Sequence, residues 1–143
     1  MRRGGERIRW GSFPTTADVG IFARAGSAAG LLEGLGHALF GQFTDLRRVR
    51  PTERRAVEAS GADLPATTVA FLEALLLLEQ DDGFIGRTIA VAVSDRGRHV
   101  RATVRGEPFD ASRHRPGIEV KAVTYHRIEV DPVRGRARVI LDI

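Results

Sequence analysis

The sequence predicts an α+β domain, in which two helices pack on one face of a mixed or largely antiparallel sheet. Two observations support this fold class. The first part of the chain contains two segments with helical spacing of apolar residues, and the second half alternates apolar and polar residues around tight turns. With 143 residues and no repeat or low-complexity linker, the chain is long enough for one domain with a buried core.

The composition excludes several classes of protein. Cysteine is absent, so the chain has neither a disulfide framework nor a thiolate zinc site. The N-terminus has no apolar signal-peptide core, and the longest apolar run is far shorter than the roughly 20 residues of a membrane span. We therefore expect a soluble cytoplasmic protein with no membrane contact. The net charge of +4 is modest for a nucleic-acid-binding protein.

Residues 1–9 are predicted to be a basic flexible arm, followed by a single domain over residues 10–143. The arm contains four arginines, which could contact a phosphate backbone: Arg2, Arg3, Arg7 and Arg9. Short charged termini are more often solvated and disordered, so the sequence favours the second interpretation and leaves the role of the arm open.

The first predicted strand, residues 16–25, contains an acid. Its aliphatic residues alternate onto one face, and Asp18 lies on the other. Aspartate is rare inside strands, so its presence requires a specific reason. Asp142 repeats the pattern in the last predicted strand, residues 136–143, one residue before the terminal carboxylate of Ile143. If the two strands are neighbours, these carboxylates converge.

Three explanations are open for Asp18 and Asp142, because a buried carboxylate is unfavourable without a partner. The acids could accept hydrogen bonds from arginine. They could instead cap backbone groups at the rim of the sheet, or they could bind a hard divalent cation through oxygen. The spacing favours a structural bond or ion pair over a metal, since acids far apart in sequence are a weak metal signal.

Capping residues mark the starts of both predicted helices. Ser27 is a typical N-cap for a first helix that we expect to end near Phe43. Four glycines weaken this helix and would allow it to approach the sheet closely. Asp63 caps the second helix, Pro65 occupies its first turn, and its pattern ends near Gln80. This helix is apolar over most of its circumference, which predicts a central position in the core.

Period-two patterns predict the remaining strands. Glu53–Ser60 is short and charged, as edge strands often are. Two hairpins follow it along the chain. Their strands are expected at residues 89–93, 100–104, 118–131 and 136–143, with turns at residues 95–97 and 131–135 and a loop over residues 106–117.

The chain contains no recognisable catalytic motif. No serine has the context of a catalytic nucleophile, and the glycine patterns of phosphate-binding loops are absent. The four histidines lack the spacing of a helical zinc pair, and His114, in the predicted loop, is expected to be the most accessible. A metal-dependent hydrolase built on the acids is the weakest hypothesis, because no general base is evident.

A second unusual segment is IEVKAVTYH, residues 118–126. Glu119 and Lys121 share one face of the predicted strand, and Lys121 is the only lysine in the chain. They are either an exposed ion pair that contributes little to stability, or Lys121 presents its ammonium to a phosphate or an acidic partner.

Five segments, in this order, closely resemble the archease family over residues 10–143: TTADVG, ALFGQFTDLRRVRP, RGEPFD, GIEVKAVTYH and VILDI. The resemblance implies a helper of an enzyme and no catalysis by the chain itself. Archeases are protein cofactors of the GTP-dependent tRNA-splicing RNA ligase, whose guanylylation and repeated turnover they promote, and a chaperone-like role has also been suggested for them. RNA would then be contacted only through the ligase.

The resemblance also implies a site. Asp18, Asp142 and the terminal carboxylate of Ile143 match the divalent-metal site of the family, with calcium, magnesium or manganese as the ion. Lys121 matches the lysine of the family's EVKA motif and, with Glu119, is expected to contact the partner. The chain departs from the family at Thr15, because archeases usually have Asp-His where this chain has Pro14-Thr15, so a carboxylate and a histidine nitrogen are replaced.

Overall fold

The computed structural model describes residues 6–143, which form eight strands and two helices. The strands are β1 (Arg9–Pro14), β2 (Val19–Arg24), β3 (Glu53–Ser60), β4 (Phe84–Ser94), β5 (His99–Pro108), β6 (Ala122–Val123), β7 (Glu129–Asp131) and β8 (Arg136–Asp142), and the helices are α1 (Ala28–Phe40) and α2 (Leu64–Asp82). This content confirms the predicted α+β class.

The strands form two antiparallel sheets. The larger sheet has the order β1-β2-β8, and both β6 and β7 pair with the far edge of β8. The smaller sheet has the order β3-β5-β4. The strands predicted as one sheet are therefore divided between two, because β8 returns to β2 at the start of the chain and not to the central hairpin.

Helix α1 touches both sheets through its glycines. A Cβ atom at Gly34 would lie 2.8 Å from Cβ of Ala23 in β2, and one at Gly36 would lie 2.6 Å from Cδ1 of Ile89 in β4. The expectation that glycines allow close approach is confirmed for both contacts. Ser27 is the N-cap as predicted, since its Oγ accepts from the backbone N–H of Gly30 at 3.0 Å.

Helix α2 supplies much of the core, as its apolar pattern predicts. Asp63 caps it by accepting from the backbone N–H of Ala66 at 2.9 Å, and Gly83 ends it in the left-handed conformation at φ 67°. Its largest fully buried side chains are Phe71, Leu72 and Leu75. They join fully buried residues of α1, β4 and β8, among them Leu35, Phe40, Phe84 and Leu141.

The central hairpin is confirmed and is longer than predicted, since β4 begins at Phe84 and β5 extends to Pro108. The second hairpin is confirmed only as β7–β8. The continuous strand predicted over residues 118–131 is wrong, because residues 118–121 are not in a strand and residues 124–128 leave the sheet between β6 and β7.

Part of the predicted arm, residues 6–9, contacts the rest of the described chain. Residues 1–5 of the predicted arm lie outside the described residues. Glu6 accepts from Oγ of Ser27 and from the backbone N–H of Gly26, Ile8 packs against the core, and Arg9 opens β1. Neither helix in the described part of the chain has the length and apolar character needed to cross a membrane.

Candidate functional site

Asp18 lies in the bend before β2, so its predicted place inside a strand is wrong. Two hydrogen bonds close the bend. The backbone N–H of Asp18 donates to Oγ1 of Thr15 at 3.2 Å, and the backbone N–H of Thr15 donates to the carbonyl oxygen of Asp18 at 3.3 Å. The hydroxyl at position 15 therefore has a local structural role, because it accepts from the bend that presents Asp18.

The register of β2 and β8 brings Asp18 and Asp142 to the same end of the larger sheet. Val19 pairs with Leu141, and each acid is the next residue beyond this pair, Asp18 in the bend and Asp142 at the end of β8. Asp142 is exposed, and Ile143, the last residue of the sequence, is 38% exposed. We call Asp18, Asp142 and Ile143 the acidic sheet end.

Neither aspartate side chain at the acidic sheet end has a hydrogen-bond or ion-pair partner among residues 6–143. Two of the three explanations left open by the sequence, an arginine partner and a cap on backbone groups, therefore fail for the described residues. These carboxylates avoid the penalty of an unpaired buried charge because they are not buried.

A cleft of about 310 Å³ opens beside Asp18. Its lining includes Phe13, Thr15, Asp18, His126, Arg127, Arg138 and Ile140. The guanidinium of Arg138 donates to the carbonyl oxygen of Arg127 at 3.4 Å, which turns it toward the loop before β7. The sequence does not predict that His126 and Arg127 lie beside Asp18. They lie there only because residues 124–128 leave the sheet.

The donors at the acidic sheet end fit a hard divalent cation in kind, since calcium, magnesium and manganese bind carboxylate oxygens. The number of these donors, however, falls short of a complete set of metal ligands. Within residues 6–143, no group of three or more His, Cys, Asp or Glu side chains is arranged to hold an ion. Two aspartates alone do not form such a group.

Lys121 lies directly beside the acidic sheet end. Its backbone N–H donates to the carbonyl oxygen of Asp142 at 2.7 Å, and its side chain is exposed. Glu119 is also exposed but faces helix α2. Burial raises the pKa of Glu79 in that helix, and the charge of Glu119 raises it further. Of the predicted pair, only Lys121 is thus shown beside Asp142.

The most extensive polar cluster is at the end of β5, around the buried carboxylate of Glu107. Arg113 donates to it from Nη1 and Nη2 at 2.9 and 2.7 Å, and the backbone N–H of Arg50 donates at 2.8 Å. Nε2 of His114 lies 3.0 Å away. The Arg113 bonds in particular lower the pKa of Glu107 to about 2, against the effect of burial.

His114 is 2% exposed, so the expectation that it is the most accessible histidine is wrong. Its Nδ1 accepts from the backbone N–H of Asp110 at 2.9 Å. Nε2 is then the protonated nitrogen that donates to Glu107. The ring packs beside Phe109 inside the loop, which the loop's turn-forming sequence does not reveal. This cluster fixes residues 107–114 and leaves no donor or acceptor of the ring available for proton transfer.

Comparison with known proteins finds one family over almost the whole chain. A model of the Archease protein family (MTH1598/TM1083) matches residues 10–143. A Pyrococcus abyssi protein named "Protein archease" is 33% identical over 140 residues, which cover 94% of this chain and 99% of the relative.

Two solved structures resemble the fold. The solution structure of Methanobacterium thermoautotrophicum protein 1598 superposes with a TM-score of 0.76 at 30% identity, covering 94% of this chain and 98% of that one. A Thermotoga maritima crystal structure, described as an archease and possible chaperone, has a TM-score of 0.60 at 21% identity, covering 100% of this chain and 98% of that one. The second likeness concerns the fold alone.

Proposed function

Since the chain belongs to the archease family, we propose that it is a non-catalytic activator of a GTP-dependent tRNA-splicing RNA ligase. It binds the ligase and promotes guanylylation and multiple turnover. An activator of this kind works by binding the guanylylation-competent state of the ligase more tightly than the other state, because only differential binding shifts a population.

The observation that supports this proposal is the position of Asp18 and Asp142 at the same end of the larger sheet, next to the Val19–Leu141 pair. Their carboxylates have no partner within residues 6–143. Charges that the described fold does not use are available to a second molecule. The backbone N–H of Lys121 donates to Asp142, so an exposed lysine also lies on the neighbouring segment.

We also propose that the acidic sheet end binds calcium, magnesium or manganese through Asp18, Asp142 and the terminal carboxylate of Ile143. When bound, such an ion supplies positive charge that attracts phosphate groups. The chain's own residues hold these oxygens in place. The Thr15 hydroxyl shapes the bend of Asp18, and the Lys121 N–H fixes the backbone of Asp142.

Guanylylation of the cognate ligase by GTP, measured with and without this protein, tests the proposal. We expect acceleration by the wild-type chain and little or none by Asp18→Asn or Asp142→Asn. Glu73→Gln is the matched control, because Glu73 is an exposed acid on α2 outside the acidic sheet end. A wild-type protein that leaves the guanylylation rate unchanged would contradict the proposal.

Calorimetric titration with magnesium, manganese and calcium tests the ion separately. Wild type should release or absorb heat on binding, and Asp142→Asn should not. Thr15→His restores the family's side chain at that position and removes the hydroxyl from the bend. If it binds an ion more tightly than wild type, the histidine nitrogen contributes more than the hydroxyl. Absence of binding by both proteins would overturn the ion proposal.

A chaperone-like protein-binding module without a functional metal site is the second candidate. It is favoured by apolar side chains that the fold leaves exposed, among them Val133 at 96%, Tyr125 at 60% and Leu77, on α2, at 53%. This candidate predicts that Asp18→Asn and Asp142→Asn bind the partner as wild type does, whereas Leu77→Ser weakens binding. Copurification with the ligase distinguishes the two candidates.

A further inference from the structure

We propose that a cleft lined by arginines, on a different part of the surface from the acidic sheet end, binds the phosphodiester backbone of RNA directly. The cleft has a volume of about 840 Å³, and we call it the arginine cleft. It is lined by Asp45, Arg47, Arg48, Val49, Arg50, Ser112 and Arg113. Direct contact goes beyond the proposed function, where RNA is reached through the ligase. The choice of RNA over DNA rests on that function.

Two arginines of the cleft are held by acids. Arg47 donates to Asp45 from Nε at 3.1 Å and Nη2 at 2.8 Å. Arg113 is held by the two oxygens of Glu107 and by Oδ2 of Asp110 at 3.2 Å. These pairs fix the positions of the two guanidinium groups, but they also neutralise most of the charge.

The other two arginines of the cleft, Arg48 and Arg50, are not held by acids in this way. Both are exposed, and neither side chain has an ion pair or hydrogen bond with another described residue. Their backbone is nevertheless fixed. The N–H of Arg48 donates to the carbonyl oxygen of Asp45 at 3.1 Å, and the N–H of Arg50 donates to Glu107 at 2.8 Å. Two exposed arginines without an ion pair thus lie on a fixed segment that lines one cleft, where the charge of Arg48 also acts on Asp45.

The lining favours a nucleic-acid backbone over other partners. Guanidinium groups match phosphate oxygens in geometry and charge. The lining contains no aromatic residue on which a base could stack, and Val49, its only aliphatic residue, is buried. A protein interface usually has an apolar core, which is also missing here, whereas nucleic-acid interfaces are polar and positively charged. Recognition of phosphates without bases is independent of sequence.

Fluorescence anisotropy with a labelled short single-stranded RNA, without ligase, tests this proposal. We compare wild type with the double variant Arg48→Gln/Arg50→Gln across a series of salt concentrations. If each arginine neutralises one phosphate, counterion release predicts about a 25-fold weaker affinity at ~0.1 M salt. It also predicts that the slope of log affinity against log salt falls in magnitude by about 1.4. A single-stranded DNA of the same sequence should respond alike.

Arg96→Gln is the matched control, because Arg96 is an exposed arginine in the turn at the other end of the β4–β5 hairpin. It should bind RNA within a factor of about 5 of wild type, the share of one phosphate contact. No binding by wild type, or equal loss in the control and the double variant, would overturn the proposal. So would weaker ligase binding with unchanged RNA binding, since the cleft would then be a protein interface.

The test of RNA binding can succeed or fail independently of the test of ligase activation. Asp142→Asn should abolish activation of the ligase and leave RNA binding intact. The double variant Arg48→Gln/Arg50→Gln should weaken RNA binding while the calorimetric response to divalent ions is unchanged. Failure of the activator proposal and failure of the RNA proposal therefore give different results.

Discussion

The buried carboxylate of Glu107 and the carboxylates of the half-buried Asp18 and the exposed Asp142 show opposite uses of negative charge in one small domain. Glu107 has every oxygen occupied by donors from Arg113, His114 and the backbone of Arg50. The two aspartates at the acidic sheet end have no such donors among residues 6–143. Glu107 is therefore committed to holding the fold together, while the aspartates are available for an external cation or partner.

The difference has a simple physical origin. A buried charge is unfavourable unless its hydrogen bonds are satisfied, so the fold around Glu107 must supply donors or the charge would not stay there. Water satisfies an exposed carboxylate, and the fold places no requirement on Asp142. Substitutions should therefore separate the two regions by the sign and size of their effect on stability.

The largest effect is expected for Glu107→Gln. The amide keeps only one accepting oxygen, so it cannot accept from both Nη1 and Nη2 of Arg113, and it removes the negative charge that pairs with the guanidinium. We expect a loss of about 3 kcal/mol in the free energy of unfolding, as for removing one partner of a buried ion pair. Urea denaturation followed by circular dichroism measures it, with Glu73→Gln as the control. A loss as small as that of the control would show that the cluster does not support the fold.

The same contrast predicts how stability depends on pH. The pKa of Glu107 is lowered from 4.5 to about 2 in the folded chain, so its contribution is present above pH ~4.5. This contribution is lost as the pH falls from ~4.5 toward ~2, because the unfolded chain takes up the proton first. Denaturation at several pH values should show a steeper loss in wild type than in Glu107→Gln. Parallel curves would contradict this assignment.

The features that the sequence predicted correctly are those determined by residues close to each other along the chain. The caps at Ser27 and Asp63 and the tight turn at residues 95–97 are each encoded within a few neighbouring residues, and the structure confirms them. The separation into two sheets depends on β8 pairing with β2 across most of the chain, which no local pattern specifies. The alternation of apolar and polar residues alone therefore predicted a single sheet.

The candidate site likewise has features that the sequence predicts and features that only the fold reveals. The sequence pattern identified Asp18 and Asp142 as unusual, and only the β2–β8 register brings them to one end of a sheet. The pattern did not find the burial of His114, because the donors to Glu107 come from a loop and from the segment before β3. A buried polar cluster is difficult to predict from a loop sequence that is rich in turn-forming residues.

A smaller effect is expected at the bend that presents Asp18. Thr15→Val keeps the shape of the side chain but removes the oxygen that accepts from the N–H of Asp18, which should lower stability by about 0.5 kcal/mol. Thr16→Val is the matched control, since Thr16 lies in the same bend and its hydroxyl makes no hydrogen bond to a described residue. Equal values from thermal denaturation for both variants would show that the Thr15 hydroxyl does not shape the bend.

The smallest effect should have the opposite sign. Asp18→Asn/Asp142→Asn removes two like charges from neighbouring strand ends that no donor compensates, so stability should rise by about 0.3 kcal/mol at low salt. A divalent cation should make wild type more stable than the variant, because a ligand that binds only the folded state stabilises wild type and not the variant. Thermal denaturation with and without magnesium or calcium measures both parts. A variant destabilised as strongly as Glu107→Gln would show that these aspartates, too, are used by the fold.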